Sequence, residues 1–321
     1  MNITLALRRE FLFQVRSLSS HQIKTRLKLF LDEKRRQISE ESLSLNKVIV
    51  TVVKPNGEEK HLLMNDRIST YFDCTRHISS HTATNTAIVN VSVAGEKHFA
   101  SVHEKIAGPC HLSLLNYTSA VDTDEVNKAY WRSCAFLLAA VIQDCFRSTV
   151  QLQSSMDLNY SCGRFAQQAQ ISEIEDWEPQ KSECAILSRC AVGDYIEKRV
   201  PFEVLNIPVD LATEMFSDNP IRIRQIEEAN EAEVKVCKLG DFVDICDHPP
   251  FIANAAQIGR FAVSEIIRRS PTLFEFSGTS LPSVLKCSSY SWDILIEGSR
   301  VSESDEQSRE DVHRHRKAVE A

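Results

Sequence analysis

Glycine is scarce in this sequence, which has nine glycines in 321 residues. Gly95 and Gly108 are the two closest along the chain. The common phosphate-binding loops, GxGxxG and GxxxxGK(S/T), each need at least two glycines within a few residues, because the backbone must approach a phosphate closely. A dinucleotide-binding enzyme and a P-loop NTPase are therefore excluded.

Long apolar runs and close cysteine pairs are also missing. The longest apolar run, Cys134–Ile142, falls far short of the ~20 residues that a membrane-spanning helix needs, so no transmembrane segment is predicted. The ten cysteines include no CxxC pair, and the closest two are Cys184 and Cys190, a spacing that does not favour structural zinc. We expect most of them to be buried, reduced thiols, which suits a reducing compartment.

Positive charge is concentrated at the N-terminus. Residues 1–37 carry nine Lys or Arg and three Asp or Glu, whereas the rest of the chain carries 28 and 41. Within residues 1–20, Ile3, Leu7 and Phe11 share a helical face opposite arginines, a pattern typical of a mitochondrial presequence. The alternative is a frayed amphipathic helix with no targeting role.

Residues 21–46 follow as a predicted basic amphipathic arm, with Ile23, Leu27, Phe30 and Leu31 at helical spacing. Two interpretations stay open: a surface helix packed on the body, or an arm that binds RNA or a partner protein. Because the rest of the chain is acidic, any contact with RNA phosphates should be local. The candidate RNA- or partner-binding residues are Lys24, Arg26, Lys28, Lys34, Arg35 and Arg36.

Short strands replace the helical pattern from residue 47. Val48–Val53 and His61–Met64 flank the turn residues Pro55-Asn56-Gly57 and predict a hairpin. A short helical segment and further strands follow. Two strands, a helix and further strands predict a β-grasp unit, a small α+β fold, over residues 47–120.

A second α+β unit is predicted over residues 121–298. Its clearest element is a buried helix over Asp122–Phe146, with apolar residues at helical spacing. Alternating apolar and charged residues over Ile221–Ile226 predict a half-buried strand. Residues 299–321 are polar and are predicted to form a mobile tail.

Two segments of the second unit resemble the editing domain of threonyl-tRNA synthetases. They are AYWRSCAFLLAAVI, Ala129–Ile142, and LGDFVDICDHPPF, Leu239–Phe251. The β-grasp unit before them is similar to the TGS domain that precedes that editing domain, so the resemblance covers residues 47 to 285. It implies a TGS-like β-grasp domain followed by an editing-like α+β domain.

The resemblance also locates a site, because the family's editing chemistry uses two histidines on the helix with a cysteine and a histidine on the loop. The matching positions here hold Arg132, Phe136, Cys246 and Pro250. None of these supplies an imidazole to position water, shuttle a proton or bind zinc. We therefore predict a degenerate site with no catalytic residue, metal or cofactor, and we expect no synthetase catalytic core.

Three segments, two of which overlap those just given, resemble the protein-thirty-nine family of the mitochondrial large ribosomal subunit: EVNKAYWRSCA, GDFVDIC and the later GTSLP. This resemblance implies a non-enzymatic structural component of that subunit in the mitochondrial matrix. Its partners would be large-subunit proteins and rRNA, with no small-molecule substrate. The alternatives are a free-standing deacylase of mischarged tRNA and a tRNA-binding TGS module outside the ribosome.

Overall fold

The computed structural model of the chain describes residues 21–42, 46–54, 57–119, 121–146, 148–153, 163–172, 174 and 176–300. The predicted presequence, residues 1–20, lies outside these residues, as does the predicted tail beyond residue 300. The described chain begins with helix α1 (His21–Glu41), where the amphipathic arm was predicted.

The first unit is a five-stranded sheet covered by two helices. Its strand order is β2-β1-β5-β3-β4, with β1 and β5 parallel and the other neighbours antiparallel, which is the β-grasp arrangement predicted. Helices α2 (Tyr71–Ile78) and α3 (Ser80–Asn85) connect the second strand to the third. The strands are β1 (Lys47–Val53), β2 (Glu59–Asn65), β3 (Ile88–Val93), β4 (Glu96–Ser101) and β5 (Cys110–Leu115).

Local sequence explains the sheet. Successive strand residues point to opposite faces, so Val50 is fully buried while Ile49, the residue before it, is 56% exposed. The turn between β3 and β4 is Ala94-Gly95, with φ angles of 52° and 94°. Positive φ at both central residues matches the twist of a two-residue hairpin turn.

The second unit is built around helix α4 (Thr123–Cys145). The helix contacts the four-stranded antiparallel sheet of order β11-β12-β7-β6, and Leu138 and Ile142 are fully buried. None of the helices in the described ranges is long and apolar enough to cross a membrane. The strands of this sheet are β6 (Val150–Leu152), β7 (Phe165–Ile171), β11 (Arg260–Arg268) and β12 (Leu273–Leu281).

A smaller sheet of order β10-β9-β8 completes the second unit. Seven of the nine cysteines that the structure describes are buried, and all nine are free thiols. The strands of the smaller sheet are β8 (Phe202–Pro208), β9 (Glu233–Leu239) and β10 (Phe242–Ile245). The remaining helices are α5 (Lys181–Cys190) with the π-helical turn Ala191–Ile196, α6 (Val209–Met215), α7 (Pro220–Ala229) and α8 (Ser289–Gly298).

The strand predicted at Ile221–Ile226 is wrong, because this segment lies in helix α7. Asn219 caps the helix, its Oδ1 accepting hydrogen bonds from the backbone N–H groups of Ile221 (3.1 Å) and Arg222 (3.3 Å). A proline at the first helical position adds a fixed φ. Six alternating residues are too few to outweigh these start signals, and the buried residues, Arg222 and Ile226, follow helical spacing.

Candidate functional site

Arg132 and Phe136 lie one turn apart on α4, at the positions where the resemblance predicts histidines. The Arg132 Nη1 donates a hydrogen bond to the backbone oxygen of Pro249, at 3.2 Å, in the loop after β10. Its Nε is buried and has no hydrogen-bond partner among the described residues. A guanidinium is charged at any ordinary pH, so Arg132 can hold the loop but cannot accept a proton from water.

Phe136 belongs to an aromatic cluster. Its ring centroid is 5.0 Å from that of Phe251, 5.1 Å from that of Phe242 and 6.2 Å from that of Phe202, and its side chain is nearly fully buried. Such tilted ring pairs contribute packing energy beyond the area they bury. The position therefore stabilises the core instead of presenting a titratable group.

Cys246 follows β10 directly and is buried. Its backbone N–H donates to the Lys235 oxygen at 2.8 Å, and its thiol hydrogen-bonds the thiol of Cys237. Burial, together with that hydrogen bond, raises the pKa of Cys246 well above its ordinary value. The thiolate, which is the nucleophilic and metal-binding form, is therefore strongly disfavoured.

The four predicted site residues do not meet in one cavity. A pocket of about 390 Å³, counted with its open mouth, lies between α4 and the smaller sheet. Arg132 and Phe136 line it, whereas Cys246 and Pro250 do not. His248 lies on its rim and is exposed. The lining residues are Arg132, Ala135, Phe136, Ala139, Gln167, Arg222, Asp244, Ile245, Asp247, His248 and Phe251.

One wall of this pocket is a buried ion network that the sequence did not reveal. The Arg222 guanidinium contacts Asp244 at 2.7 Å and Asp247 at 3.2 Å. Gln225 also donates to Asp247, and the Ile245 N–H donates to Asp244 at 2.9 Å. Burial disfavours the charged guanidinium, but attraction to the two carboxylates outweighs it and raises the pKa of Arg222.

The polar groups of this arrangement hold one another in place. Both carboxylates on the pocket wall are occupied by Arg222, and the helix offers an arginine and a phenylalanine where hydrolysis of an ester would need a proton acceptor. No group of three His, Cys, Asp or Glu side chains within the described ranges is arranged to hold a metal ion. The network could have been found from sequence only if Arg222 had been placed on a helix facing the DICD segment.

The predicted basic residues of α1 divide into two sets. The Nη2 of Arg26 donates to both carboxylate oxygens of Asp218, at 2.7 and 2.8 Å, and Lys34 pairs with Glu203. Within the helix, Arg35 pairs with Asp32 at 2.6 Å, and Arg36 pairs with Glu33 and Glu40, both at 2.7 Å. By contrast, Lys24 and Lys28 are exposed and have no ion-pair partner in the part of the chain that the structure describes.

The apolar side of α1 packs on the second unit. Phe30 is 1% exposed and lies in a cluster with Leu205 and Ile207 of β8 and Phe216 after α6. The packed surface helix, one of the two interpretations of this segment, is therefore what the structure shows on that face. The opposite face of α1 stays in solvent.

Fold and site together define a two-unit α+β protein whose second unit has a pocket lined by Arg132 and Phe136, with no histidine on the helix that carries them. No family model matches the chain. It is 29% identical, over 296 residues, to large ribosomal subunit protein mL39 of Drosophila melanogaster, covering 88% of this chain and 85% of that protein.

Two threonine–tRNA ligases show a weaker similarity. Identity is 25% to the probable cytoplasmic ligase 1 of Dictyostelium discoideum and 24% to the human cytoplasmic ligase 2. The matches cover 67% and 64% of this chain, but only 28% and 23% of the ligases. The predicted resemblance is confirmed: the chain is related to mL39 and, more distantly, to threonyl-tRNA synthetases.

Proposed function

We propose that the chain is a non-enzymatic structural component of the mitochondrial large ribosomal subunit and supports mitochondrial translation. The similarity to a large-subunit ribosomal protein along nearly the whole of both chains carries this proposal. The chain spans about a quarter of the two ligases, so their aminoacylation activity does not transfer to it.

The pocket supports the non-enzymatic part of the proposal. Phe136 sits in an aromatic cluster, Arg132 is fixed to the Pro249 backbone, and Cys246 is buried outside the pocket. Each of the three contributes to packing or loop position, and none is placed to activate water. We retain the pocket as an element of the fold and assign it no small-molecule substrate.

The charges on α1 support a local contact with rRNA or a neighbouring protein. Four of the six candidate basic residues are neutralised by carboxylates, which leaves Lys24 and Lys28 as the two exposed candidates with no carboxylate partner among the described residues. Unpaired lysines can release counterions from a phosphate backbone, whereas an arginine already held by a carboxylate has less to contribute.

We also propose that the β-grasp unit is TGS-like and that residues 1–20 direct import into mitochondria.

A gradient profile of mitochondrial lysate tests the function. The chain should comigrate with the large subunit and stay with it at moderate potassium concentration. Its absence from that peak at low salt would overturn the proposal and favour a module outside the ribosome.

A hydrolysis assay separates the enzymatic alternative. The substrate is threonine tRNA that has been mischarged with serine. The purified chain should hydrolyse its ester bond no faster than buffer alone. Turnover that disappears in a Cys246→Ala variant would contradict the non-enzymatic assignment. An Ala135→Gly variant, altered in the pocket lining but not at a predicted site residue, serves as the matched control.

A further inference from the structure

Two cysteines meet where helices α4 and α5 end. Cys145 is the last residue of α4, Cys190 is the last residue of α5, and the two helices contact each other. The two thiols form a hydrogen bond with each other. Side-chain rotation, with little backbone movement, brings such sulfurs to the disulfide bond length of about 2 Å. The pair is therefore placed to form a disulfide.

A neighbouring contact holds the same two helix ends together. The chain continues from α5 into the π-helical turn Ala191–Ile196, and the Tyr195 hydroxyl of this turn donates a hydrogen bond to the Asp144 carboxylate. Asp144 directly precedes Cys145 on α4. The bond between Tyr195 and Asp144 therefore keeps the elements that carry the two sulfurs side by side.

The two thiols differ in their access to solvent. Cys145 is 5% exposed and packs in the main core of the second unit. Cys190 is only partly buried. A small polar oxidant such as hydrogen peroxide therefore reaches Cys190 first.

Cys190 is also the thiol that ionises more readily. Its pKa is lowered, chiefly by the hydrogen bond from Cys145 and also by the Arg189 cation, although burial and the carboxylates of Asp144 and Asp194 oppose this. The same hydrogen bond, together with burial, raises the pKa of Cys145. Cys145 also lies at the carbonyl end of α4, where the helix dipole disfavours an anion. The thiolate is the nucleophilic form of cysteine, so the more exposed sulfur is also the more reactive one.

We propose that Cys190 and Cys145 form a peroxide-sensitive modification site, in which hydrogen peroxide oxidises Cys190 and Cys145 then joins it in an intramolecular disulfide. The Cys190 thiolate attacks one oxygen of the peroxide, the O–O bond breaks, and the departing hydroxide takes a proton from solvent to become water. Cys190 is left as a sulfenic acid. The Cys145 sulfur then attacks the Cys190 sulfur, the S–O bond breaks, and the departing hydroxide takes the Cys145 proton. Two thiols and one hydrogen peroxide thus give one disulfide and two waters.

The disulfide ties α4 to α5 covalently and is reversible, because thiols such as glutathione reduce it by exchange. In the resting chain both cysteines are free thiols, as the structure has them. The site does not depend on the proposed ribosomal role.

The thiols of Cys237 and Cys246 provide a matched comparison within the same chain. They too form a hydrogen bond, but both side chains are buried, and burial raises the pKa of Cys246 well above its ordinary value. Proximity is thus common to the two pairs, whereas access to solvent belongs to Cys190. Cys237 and Cys246 should stay reduced at peroxide concentrations that oxidise Cys190.

Peptide mapping tests the site in the unmodified full chain. The purified, reduced chain is treated with hydrogen peroxide in native buffer, free thiols are alkylated with N-ethylmaleimide as the chain is denatured, and its peptides are analysed without reduction by tandem mass spectrometry. The expected product is a peptide pair joined through Cys145 and Cys190, with Cys237 and Cys246 alkylated. The proposal is overturned if Cys190 stays reduced, if it pairs with another cysteine such as Cys162, or if Cys237 and Cys246 form a disulfide equally fast.

Dimedone, which traps sulfenic acids, assigns the two roles. Cys145→Ser removes the resolving thiol but keeps a hydroxyl that can donate to Cys190, so the Cys190 sulfenic acid should persist and give an adduct that the unmodified chain does not accumulate. Cys237→Ser is the matched control, because it removes a thiol of the other pair and should leave Cys190 without an adduct. In Cys190→Ser, Cys145 should give no adduct, because it is buried.

Two results of the trapping experiment would overturn the proposal. One is a folded Cys145→Ser chain without an adduct on Cys190, and the other is an adduct on Cys145 in Cys190→Ser. Peptide mapping uses the unmodified chain, so it decides the proposal even where a serine variant does not fold.

Discussion

The helices at the two ends of the described chain, α1 and α8, reverse what their sequences lead one to expect. Helix α1 is rich in Lys and Arg, yet Phe30 is buried and Arg26 is nearly so. Helix α8 is largely apolar, yet it buries no residue. Composition describes what a helix could bury, whereas tertiary neighbours decide what it does bury. The basic helix is integral to the fold, whereas the apolar helix leaves Tyr290, Ile294 and Leu295 in solvent.

The paired charges of α1 explain the first half of this contrast. The Arg26 guanidinium also lies over the Phe216 ring, with its Cζ 5.1 Å from the ring centroid, so it contacts both a carboxylate and an aromatic ring of the second unit. Lys105 of the β-grasp unit reaches Glu41 at 3.1 Å and Gln37 at 3.0 Å. Helix α1 therefore contacts both units, and its basic residues serve mainly as internal ties.

Phe30→Ala tests the contrast between α1 and α8, and it should have the largest effect of these variants on the free energy of unfolding. Removing this fully buried ring from α1 should lower the free energy of unfolding by about 3–5 kcal/mol, from lost burial and the cavity left behind. Tyr290→Ala on α8 is the matched aromatic control and should cost less than about 0.5 kcal/mol. Urea unfolding of the two purified full chains provides the comparison, and equal losses would contradict the distinction between the helices.

Arg26→Ala should have the next largest effect. The substitution removes two short hydrogen bonds to Asp218 and the contact with Phe216, in a place where Arg26 is mostly shielded from water. We expect a loss of about 1–3 kcal/mol in the free energy of unfolding. Arg35→Ala, whose pair with Asp32 is exposed, is the control and should change it by less than about 0.5 kcal/mol. The interpretation of Arg26 as an internal tie would be wrong if both variants unfold at the same urea concentration.

Much of the fold follows from local sequence signals. The hairpin around Gly57 and the long helix over Asp122–Phe146 were both predictable, because hydrophobic period and turn residues agree there. At Ile221–Ile226 the signals conflict. The alternation of apolar and charged residues favours a strand, while Asn219 and Pro220 start a helix, and the cap decides.

Only part of the residue grouping around the pocket follows from the sequence. The motif resemblance grouped Arg132 with Phe136, and both side chains line one pocket in the structure. It also grouped Cys246 with them, whereas this side chain lies outside the lining and hydrogen-bonds Cys237. Arg222 was missed because its two carboxylate partners are more than twenty residues away in sequence, a separation that no local pattern reports.

Lys24 and Lys28 test which basic residues of α1 contact the ribosome. Changing both to Gln should make release from the large subunit occur at lower potassium, with the salt slope falling by about one per lost phosphate contact. Arg35→Gln with Arg36→Gln is the matched pair on the same helix and should have the smaller effect, because carboxylates already neutralise these side chains. The measurement is comigration with the large subunit on gradients of increasing potassium. Equal shifts from the two double variants would show that the ion pairs open on binding.

The smallest effect concerns the ion pair between Lys34 of α1 and Glu203 of β8. The Glu203 carboxylate also pairs with Lys238 of β9. Burial raises the pKa of Glu203, but the hydrogen bonds and charges of the two lysines outweigh it and hold the pKa below its ordinary value. A carboxyl with a lowered pKa in the folded state contributes stability above its unfolded pKa of about 4.3, and this is lost as the pH falls toward the folded value.

Lys34→Gln should therefore reduce the stability that is lost as the pH falls from about 5 through the lowered pKa of Glu203, by less than about 1 kcal/mol because Lys34 is 41% exposed. Lys24→Gln, which removes a lysine of the same helix that pairs with no carboxylate in the described part of the chain, should leave the pH dependence unchanged. The free energy of urea unfolding at several pH values measures both variants. If Lys34→Gln follows the same pH curve as the unmodified chain, then Lys238 alone holds Glu203, and α1 is attached by apolar packing and Arg26 without this third tie.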